Sequence, residues 1–484
     1  MQDKGATFAS FLRASGISLI GQIVYYAIYF SAIRVILSTL PKEENGLLTL
    51  VQQWTTAALA IALMTGYTTY IVQRLRTEIN PGVFFSTIFW LRTGISIVVV
   101  VGLTILLALT RDIPPSVTII GALASLGMAR ALTLRTTLEL PFQSQMRFGI
   151  LTLLSTIDVV LIVVLLLAQR PALSAVNVFT AQALATFPSI AALCIMAWRS
   201  GFLRAKIHIP TLRSILHEAP TLSVLTALLY LHMLTDITML EVLGTRAMVG
   251  VYGASAYAAL PLNILGSIFW SPLAPVLSQK LQHDTIHAPI TFDRYLRLIG
   301  VSIGIVGATV SSLMPFVIEL LTAGVYADHT AEFLLQLWVG ALSAILVAVQ
   351  MYGSLLALYR ETVITIGMLL AGSLLFDWWL IKMGGTSGLL IAKALSNALA
   401  LGCAAVFFRR ASYRTLGMRI VQLSAWILMT GITTAALYAL SNDVIIRLLI
   451  GVGSALILAI VMKLIRMSDV RVLAAELKRQ RSSA

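Results

Sequence analysis

The sequence predicts an all-α polytopic membrane protein with about 14 transmembrane helices. Three observations carry that expectation. The chain is 58% hydrophobic and only 11% charged. Apolar runs of roughly 20 residues, the length that crosses a bilayer core, recur along it with short polar breaks. Lysine and arginine concentrate in alternate breaks, the pattern of a chain threading a membrane. A soluble chain carries about 25% charged residues. Here the mean hydropathy is +0.92, so there is too little polar surface to coat a water-soluble globule.

The runs place helices at Ser15–Ser38, Leu47–Gln73, Val83–Leu109, Ser116–Leu138, Gly149–Leu167 and Ala175–Ala197. A second set follows at Thr221–Leu243, Val249–Leu277, Leu298–Leu321, Phe333–Leu358, Thr362–Ile381 and Ser387–Phe408. Two more, Ile420–Leu440 and Val444–Leu464, close the series. In hydrocarbon such segments are helical, because only a helix satisfies its own backbone. The first run lacks a small-residue cleavage site and is long enough to be an anchor, so no cleavable signal peptide is expected.

The charge bias also gives the orientation. One set of breaks holds most of the cations, among them Arg74, Arg76, Arg135, Arg199, Arg204, Lys206, Arg294, Arg409 and Arg410, with both chain ends. The opposite set holds Lys42, Arg111, Arg170, Arg246, Lys382 and Arg447. The basic set is expected to be cytoplasmic, with both termini inside and multi-pass placement in the inner (plasma) membrane. The net charge of +14 follows from this bias and implies no nucleic-acid partner. Cys194 and Cys403 lie in apolar runs and form no disulfide framework.

A weak repeat divides the chain. Leu37-Ser38-Thr39 followed by Gly46 is echoed by Leu243-Gly244-Thr245 followed by Gly250. Six helices separate the copies, which implies a parallel repeat about an axis along the membrane normal. The competing reading is a chance coincidence at helix ends. The repeat predicts two six-helix lobes related by pseudo-twofold symmetry, residues 1–210 and 211–410. Two further helices (411–466) and a basic tail (467–484) follow.

Ionisable residues inside apolar runs are the candidate functional groups, since each costs about 2.5–3.5 kcal/mol at the bilayer centre unless it meets a partner or water. They are Arg34, Arg92, Arg130, Asp158, His232, Asp236, Glu241, Asp377 and Lys393. Arg92 and Asp158 match in depth, which makes them expected partners, either a cavity-lining pair that opens to an anion or a static structural pair. Asp377 and Lys393 suggest a second pair on consecutive helices. Arg130 either lines the path or snorkels to the surface. His232 and Asp236 stand four apart on one helix face, where an imidazole and a carboxylate relay a proton or simply pack as neutral groups. Glu241, nearer a helix end, is expected in solvent. No Gly-rich phosphate loop and no metal-spaced His/Cys/Asp cluster is present, so no nucleotide, cofactor, metal or enzyme chemistry is expected.

Several segments together resemble the bacterial polysaccharide transporter (O-antigen flippase) family of the multidrug/oligosaccharidyl-lipid/polysaccharide exporter (MOP) superfamily. They are Arg34-Val35-Ile36-Leu37 with Glu43-Glu44-Asn45-Gly46-Leu47, Glu218-Ala219-Pro220, and Leu234 to Leu240 with Val249-Gly250-Val251-Tyr252. Gly324-Val325-Tyr326 and Gly384 to Leu389 continue the resemblance, which spans most of residues 8–410. Ser38 stands where the family pattern has glycine, and the following turn is longer. The resemblance implies two lobes around a central cavity. It implies transfer of an undecaprenyl-diphosphate-linked oligosaccharide between leaflets, with membrane lipids, a polysaccharide polymerase and glycosyltransferases as partners. Arg34, Arg92, Arg130 and Lys393 are then the expected cationic substrate contacts. His232, Asp236 and Asp158 are the expected ion-coupling groups of an alternating-access antiporter. A drug or ion antiporter of the same fold, and a membrane-embedded enzyme or scaffold of glycan assembly, are the alternatives.

Overall fold

The computed structural model describes residues 8–128, 133–145, 147–203, 207–262, 264–265, 288–356, 358–410 and 414–465. Every regular element among them is helical. Nine of these helices are long and apolar enough to cross a membrane.

The chain begins with α1 (Phe8–Thr39), turns at Pro41 and enters α2 (Lys42–Ala62). The run expected to continue as one helix breaks here. Met64 adopts a left-handed conformation, a 3₁₀ turn covers Thr65–Tyr67, and α3 (Thr68–Thr77) resumes. Prolines open both α4 (Pro81–Arg111) and α5 (Pro115–Gly127), where the missing N–H of a first-turn residue costs nothing. The fourth expected helix also breaks. α5 stops at Gly127, and α6 (Leu134–Ser144) forms a separate half. α7 (Phe148–Gln169) and α8 (Ala175–Arg199) follow, the latter capped twice. The Ser174 hydroxyl accepts from Asn177 N–H, and the Glu44 carboxylate accepts from Ala175 N–H at 2.9 Å.

α9 (Ile209–Leu243) begins well before the expected Thr221. α10 (Arg246–Ala256) leads to a 3₁₀ turn at Tyr257–Ala259. α11 (Ala288–Ser312), α12 (Met314–Thr322) and α13 (Thr330–Leu355) come next. α14 (Tyr359–Arg410) is a hairpin of two helices, as the sequence suggests, folded at Gly385 with φ +55°. Only glycine adopts that backbone readily. α15 (Arg414–Leu440) and α16 (Val444–Val461) complete the described chain, with Asp443 capping α16.

Two compact units emerge. One comprises Leu12–Gly250 with Leu321–Val325, the other Val251–Leu320 and the chain from Tyr326. In the first, α5 packs on α8, α2 on α5 and α9, and the half-helices α3 and α6 on each other. Beneath these halves lies an apolar core including Ile71, Phe84, Phe85, Ile88, Leu138, Phe142 and Leu193. In the second unit α15 and α16 are built in rather than appended. Trp426 of α15 closes on Gly304 of α11, and its indole N–H donates to the Ala455 carbonyl of α16 at 3.1 Å. The outward faces of α4 and α16 remain apolar, with Val98 and Leu449 about as exposed as a side chain on a helix surface can be. A lipid solvent accounts for such faces.

The repeated glycines meet. A Cβ on Gly46 would overlap the Arg246 carbonyl oxygen, and a Cβ on Gly250 would overlap the Lys42 carbonyl oxygen. Each glycine therefore faces the residue four before the other. The two helices thus cross backbone to backbone at this point. Asn45 adds a bond from its amide to the Gly250 carbonyl at 2.7 Å.

Candidate transport site

In the first unit the buried Arg92, Arg135, Glu139 and Asp158 gather at the two helix breaks. A broken membrane helix exposes carbonyls that must find donors inside the protein. Arg92 on α4 supplies one set. It is buried, and it donates to the Met64 carbonyl at the first break (3.3 Å) and to the Thr137 hydroxyl on α6 (2.9 Å). Arg135, in the first turn of α6, supplies the other. It donates to the Gly127 carbonyl that ends α5, at 3.2 Å.

Arg135 is also the centre of an ion cluster. Its guanidinium pairs with Asp158 of α7 and with Glu139 one turn along α6, the latter at 3.1 Å. It donates further to Ser189 of α8 (2.9 Å) and Ser155 of α7 (3.4 Å). One guanidinium thus ties the end of α5 to α6, α7 and α8. Arg135 is 1% exposed and so is Asp158, which places both charges out of reach of bulk water.

This corrects the expected partnership of Arg92 with Asp158. The depth match holds, but Arg135 reaches Asp158 because the fourth run breaks and turns its second half inward. One continuous helix would have put Arg135 in a cytoplasmic break. The signal that could have placed it is local. Residues 133–139 read Thr-Leu-Arg-Thr-Thr-Leu-Glu, too polar for a lipid-facing span and carrying an Arg–Glu pair four apart.

His232 and Asp236 lie together as their spacing predicts. The imidazole Nδ1 is 3.6 Å from the carboxylate, and both side chains are buried. Glu241 differs from expectation. It is largely buried and pairs with Arg111 at 3.1 Å, while Arg246 donates to the Arg111 carbonyl at 3.0 Å. Arg34 is exposed on α1. Arg130 lies outside the described residues.

In the second unit Lys393 is buried and donates to the Tyr252 hydroxyl at 2.7 Å. Asp377, on the other arm of the α14 hairpin, is fully buried. Among the described residues no group of three His, Cys, Asp or Glu side chains is arranged to hold a metal ion.

The fold is matched in solved structures. A lipid II flippase, MurJ, in an inward closed conformation superposes with a TM-score of 0.60 at 11% identity, covering 93% of this chain and 99% of the flippase. The fold is that of the MOP-superfamily transporters. A MOP-superfamily transporter from Pyrococcus furiosus superposes with a TM-score of 0.57 at 15% identity, over 85% of this chain and 95% of its own. The MATE multidrug transporter DinF-BH, in a ligand complex, gives 0.58 at 14% identity, over 85% and 97%. No protein-family model and no curated protein sequence matches the chain. The all-α polytopic architecture therefore stands.

Proposed function

We propose that this MOP-fold protein is a flippase for an undecaprenyl-diphosphate-linked oligosaccharide, working in a bacterial inner membrane with both termini cytoplasmic. The observation that carries this reading is the extent of the likeness. The lipid II flippase aligns over 93% of the chain and the ligand-bound multidrug transporter over 85%. The drug exporters of this superfamily are expected to have twelve helices. This chain adds α15 and α16, locked to α11 by Trp426. The net charge of +14 and the lack of an acid between Arg13 and Arg34 on the first helix suit an anionic cargo better than a cationic drug.

With no nucleotide motif in the sequence, the energy sources are an ion gradient, the membrane potential or substrate removal outside, and the reading proposed is ion coupling. Two clusters suit the coupling role. At the first, Glu139 and Asp158 share one guanidinium, so a proton or sodium ion arriving there changes which carboxylate Arg135 holds. At the second, His232 and Asp236 are in contact. Such binding shifts the conformational equilibrium only through a difference in affinity between the two states.

The test is transfer of labelled lipid-linked oligosaccharide in proteoliposomes under an imposed pH or sodium gradient. Transfer that responds to a gradient supports the reading, and rates indifferent to both gradients sink ion coupling. Export of a cationic dye with no movement of the lipid-linked sugar would instead support the drug-antiporter alternative. Gradient dependence that survives Asp236→Asn and His232→Gln moves the coupling role to the Arg135 cluster.

A further inference from the structure

The second unit carries a charge cluster that the proposed transport cycle does not use. α11 and α15 pack together, and Asp293 and Arg419 lie at equal depth, each about 8 Å from the first residue of its helix. The Asp293 carboxylate accepts from Arg419 Nε at 3.0 Å through one oxygen. Through the other it pairs with Arg297, one turn further along α11, at 3.1 Å. Arg297 is 5% exposed and Arg419 8%. Two buried cations thus share one half-buried carboxylate, an excess of one positive charge among the three groups. Arg419 directs one terminal nitrogen to the Gln422 amide oxygen at 2.7 Å. Its other terminal nitrogen meets no acceptor among the described residues.

The surroundings decide which anion suits this cluster. The charge bias assigns this end of the spans to the cytoplasmic leaflet. α15 and α16 also pack together, and Met418, Val421, Ile457 and Ile460 are exposed at that same end. An apolar surface beside an under-neutralised pair of guanidinium groups suits a molecule with an anionic head and apolar chains. A bare anion leaves the apolar surface unmatched. A zwitterionic lipid brings its own ammonium, which the excess positive charge disfavours. Basic pockets between membrane helices on the cytoplasmic side are suited to anionic lipid headgroups.

We propose that the Arg297–Asp293–Arg419 cluster seats an anionic phospholipid of the cytoplasmic leaflet, such as phosphatidylglycerol. The lipid's phosphodiester takes the remaining N–H donors of Arg419 in charge-assisted hydrogen bonds, for which the planar guanidinium is suited. Its acyl chains lie against Met418 and Val421 of α15 and Ile457 and Ile460 of α16. The bound phosphate neutralises the excess charge and so holds α15 on α11. The site lies within the second unit and does not depend on the identity of the cargo.

The experiment uses the full-length protein purified in a mild detergent. Native mass spectrometry counts the lipids it retains during titration with phosphatidylglycerol or with phosphatidylethanolamine of matched chain length. The unmodified protein is expected to bind phosphatidylglycerol about fivefold more tightly. Arg419→Gln is expected to abolish that preference, and since Asp293 keeps Arg297 in this variant, the fold is expected to persist. Arg410→Gln removes an equal charge from an exposed residue at the same end and is expected to leave the preference unchanged. Equal binding of the two lipids by the unmodified protein overturns the proposal without recourse to any variant. Equal loss in Arg410→Gln and Arg419→Gln overturns it in favour of a diffuse basic surface. Displacement of phosphatidylglycerol by inorganic phosphate would make the cluster a bare anion site. Displacement by a tenth as much undecaprenyl pyrophosphate would make it a cargo contact. Either displacement also overturns the lipid seat.

Discussion

Removing the charge of Asp158 and removing that of Arg135 are expected to have unequal effects, because the cluster contains one cation and two carboxylates. Asp158→Asn keeps the shape and leaves Arg135 with Glu139 at 3.1 Å, the Ser189 hydroxyl at 2.9 Å and the Gly127 carbonyl at 3.2 Å. The guanidinium stays compensated, so the loss is that of one charged hydrogen bond, about 1.5–3 kcal/mol. Arg135→Met leaves the buried Asp158 without its cation and strips the α5 end of its donor. Breaking a buried pair from that side costs about 3–5 kcal/mol. Arg135→Met with Asp158→Leu removes the stranded carboxylate, and a coupling of about 1–3 kcal/mol is expected to return part of the loss. Arg92→Met is the control. It shares no bond with Asp158, so Arg92→Met and Asp158→Asn should add to within about 0.5 kcal/mol. The assay is denaturant unfolding of the purified full-length protein, followed by a probe of helix content. An Arg135→Met variant no less stable than Asp158→Asn, or strong coupling of Asp158 to Arg92 instead, would falsify the cluster.

Legibility of the sequence divides along a physical line. Spans are legible because burial in lipid demands long apolar runs, and α4, α7, α8, α13 and α16 lie within a few residues of expectation. Of the residues in the expected repeat, Gly46 and Gly250 meet, and neither position accepts a side chain: each backbone packs against a carbonyl of the other helix. Same-helix pairs such as His232 and Asp236 follow from spacing alone. Partners on different helices do not. The break after Gly127 decides that Arg135 and not Arg92 meets Asp158, and hydropathy averaged over a span blurs a short break. Glu241 departs from expectation for a related reason. Its position near a helix end predicts solvent, yet the next element brings Arg246 beside Arg111, and Arg111 beside Glu241.

Three further expectations concern topology, the added helices and the glycine crossing. Reporter fusions at Lys206, His283 and Arg410 should read cytoplasmic and those at Lys42 and Arg111 external; a cytoplasmic signal at Lys42 breaks the alternation on which the orientation rests. Trp426→Ala should cost about 3–5 kcal/mol by emptying the space over Gly304 and freeing the Ala455 carbonyl, and a loss below about 1 kcal/mol would show that α15 and α16 are loosely held. The glycine crossing gives the sharpest contrast. Adding one methyl to a helix glycine normally stabilises by about 0.5–1 kcal/mol, because alanine has less backbone freedom to lose. Gly94 on α4 has open space where its Cβ would stand, so Gly94→Ala should show that gain. At Gly46 the same methyl meets the Arg246 carbonyl oxygen, which is backbone and cannot rotate away. The helices must part by on the order of 1 Å, and overpacking of this kind costs about 1–3 kcal/mol, which exceeds the propensity gain. The shift also lengthens the Asn45 bond to Gly250, now 2.7 Å. Gly250→Ala should match Gly46→Ala in sign and size, because its methyl meets the Lys42 carbonyl oxygen in the same way. The readout is denaturant unfolding of the three variants side by side. If Gly46→Ala is as harmless as Gly94→Ala, the helices do not cross backbone to backbone; if only one of the two glycines is sensitive, the contact is not reciprocal.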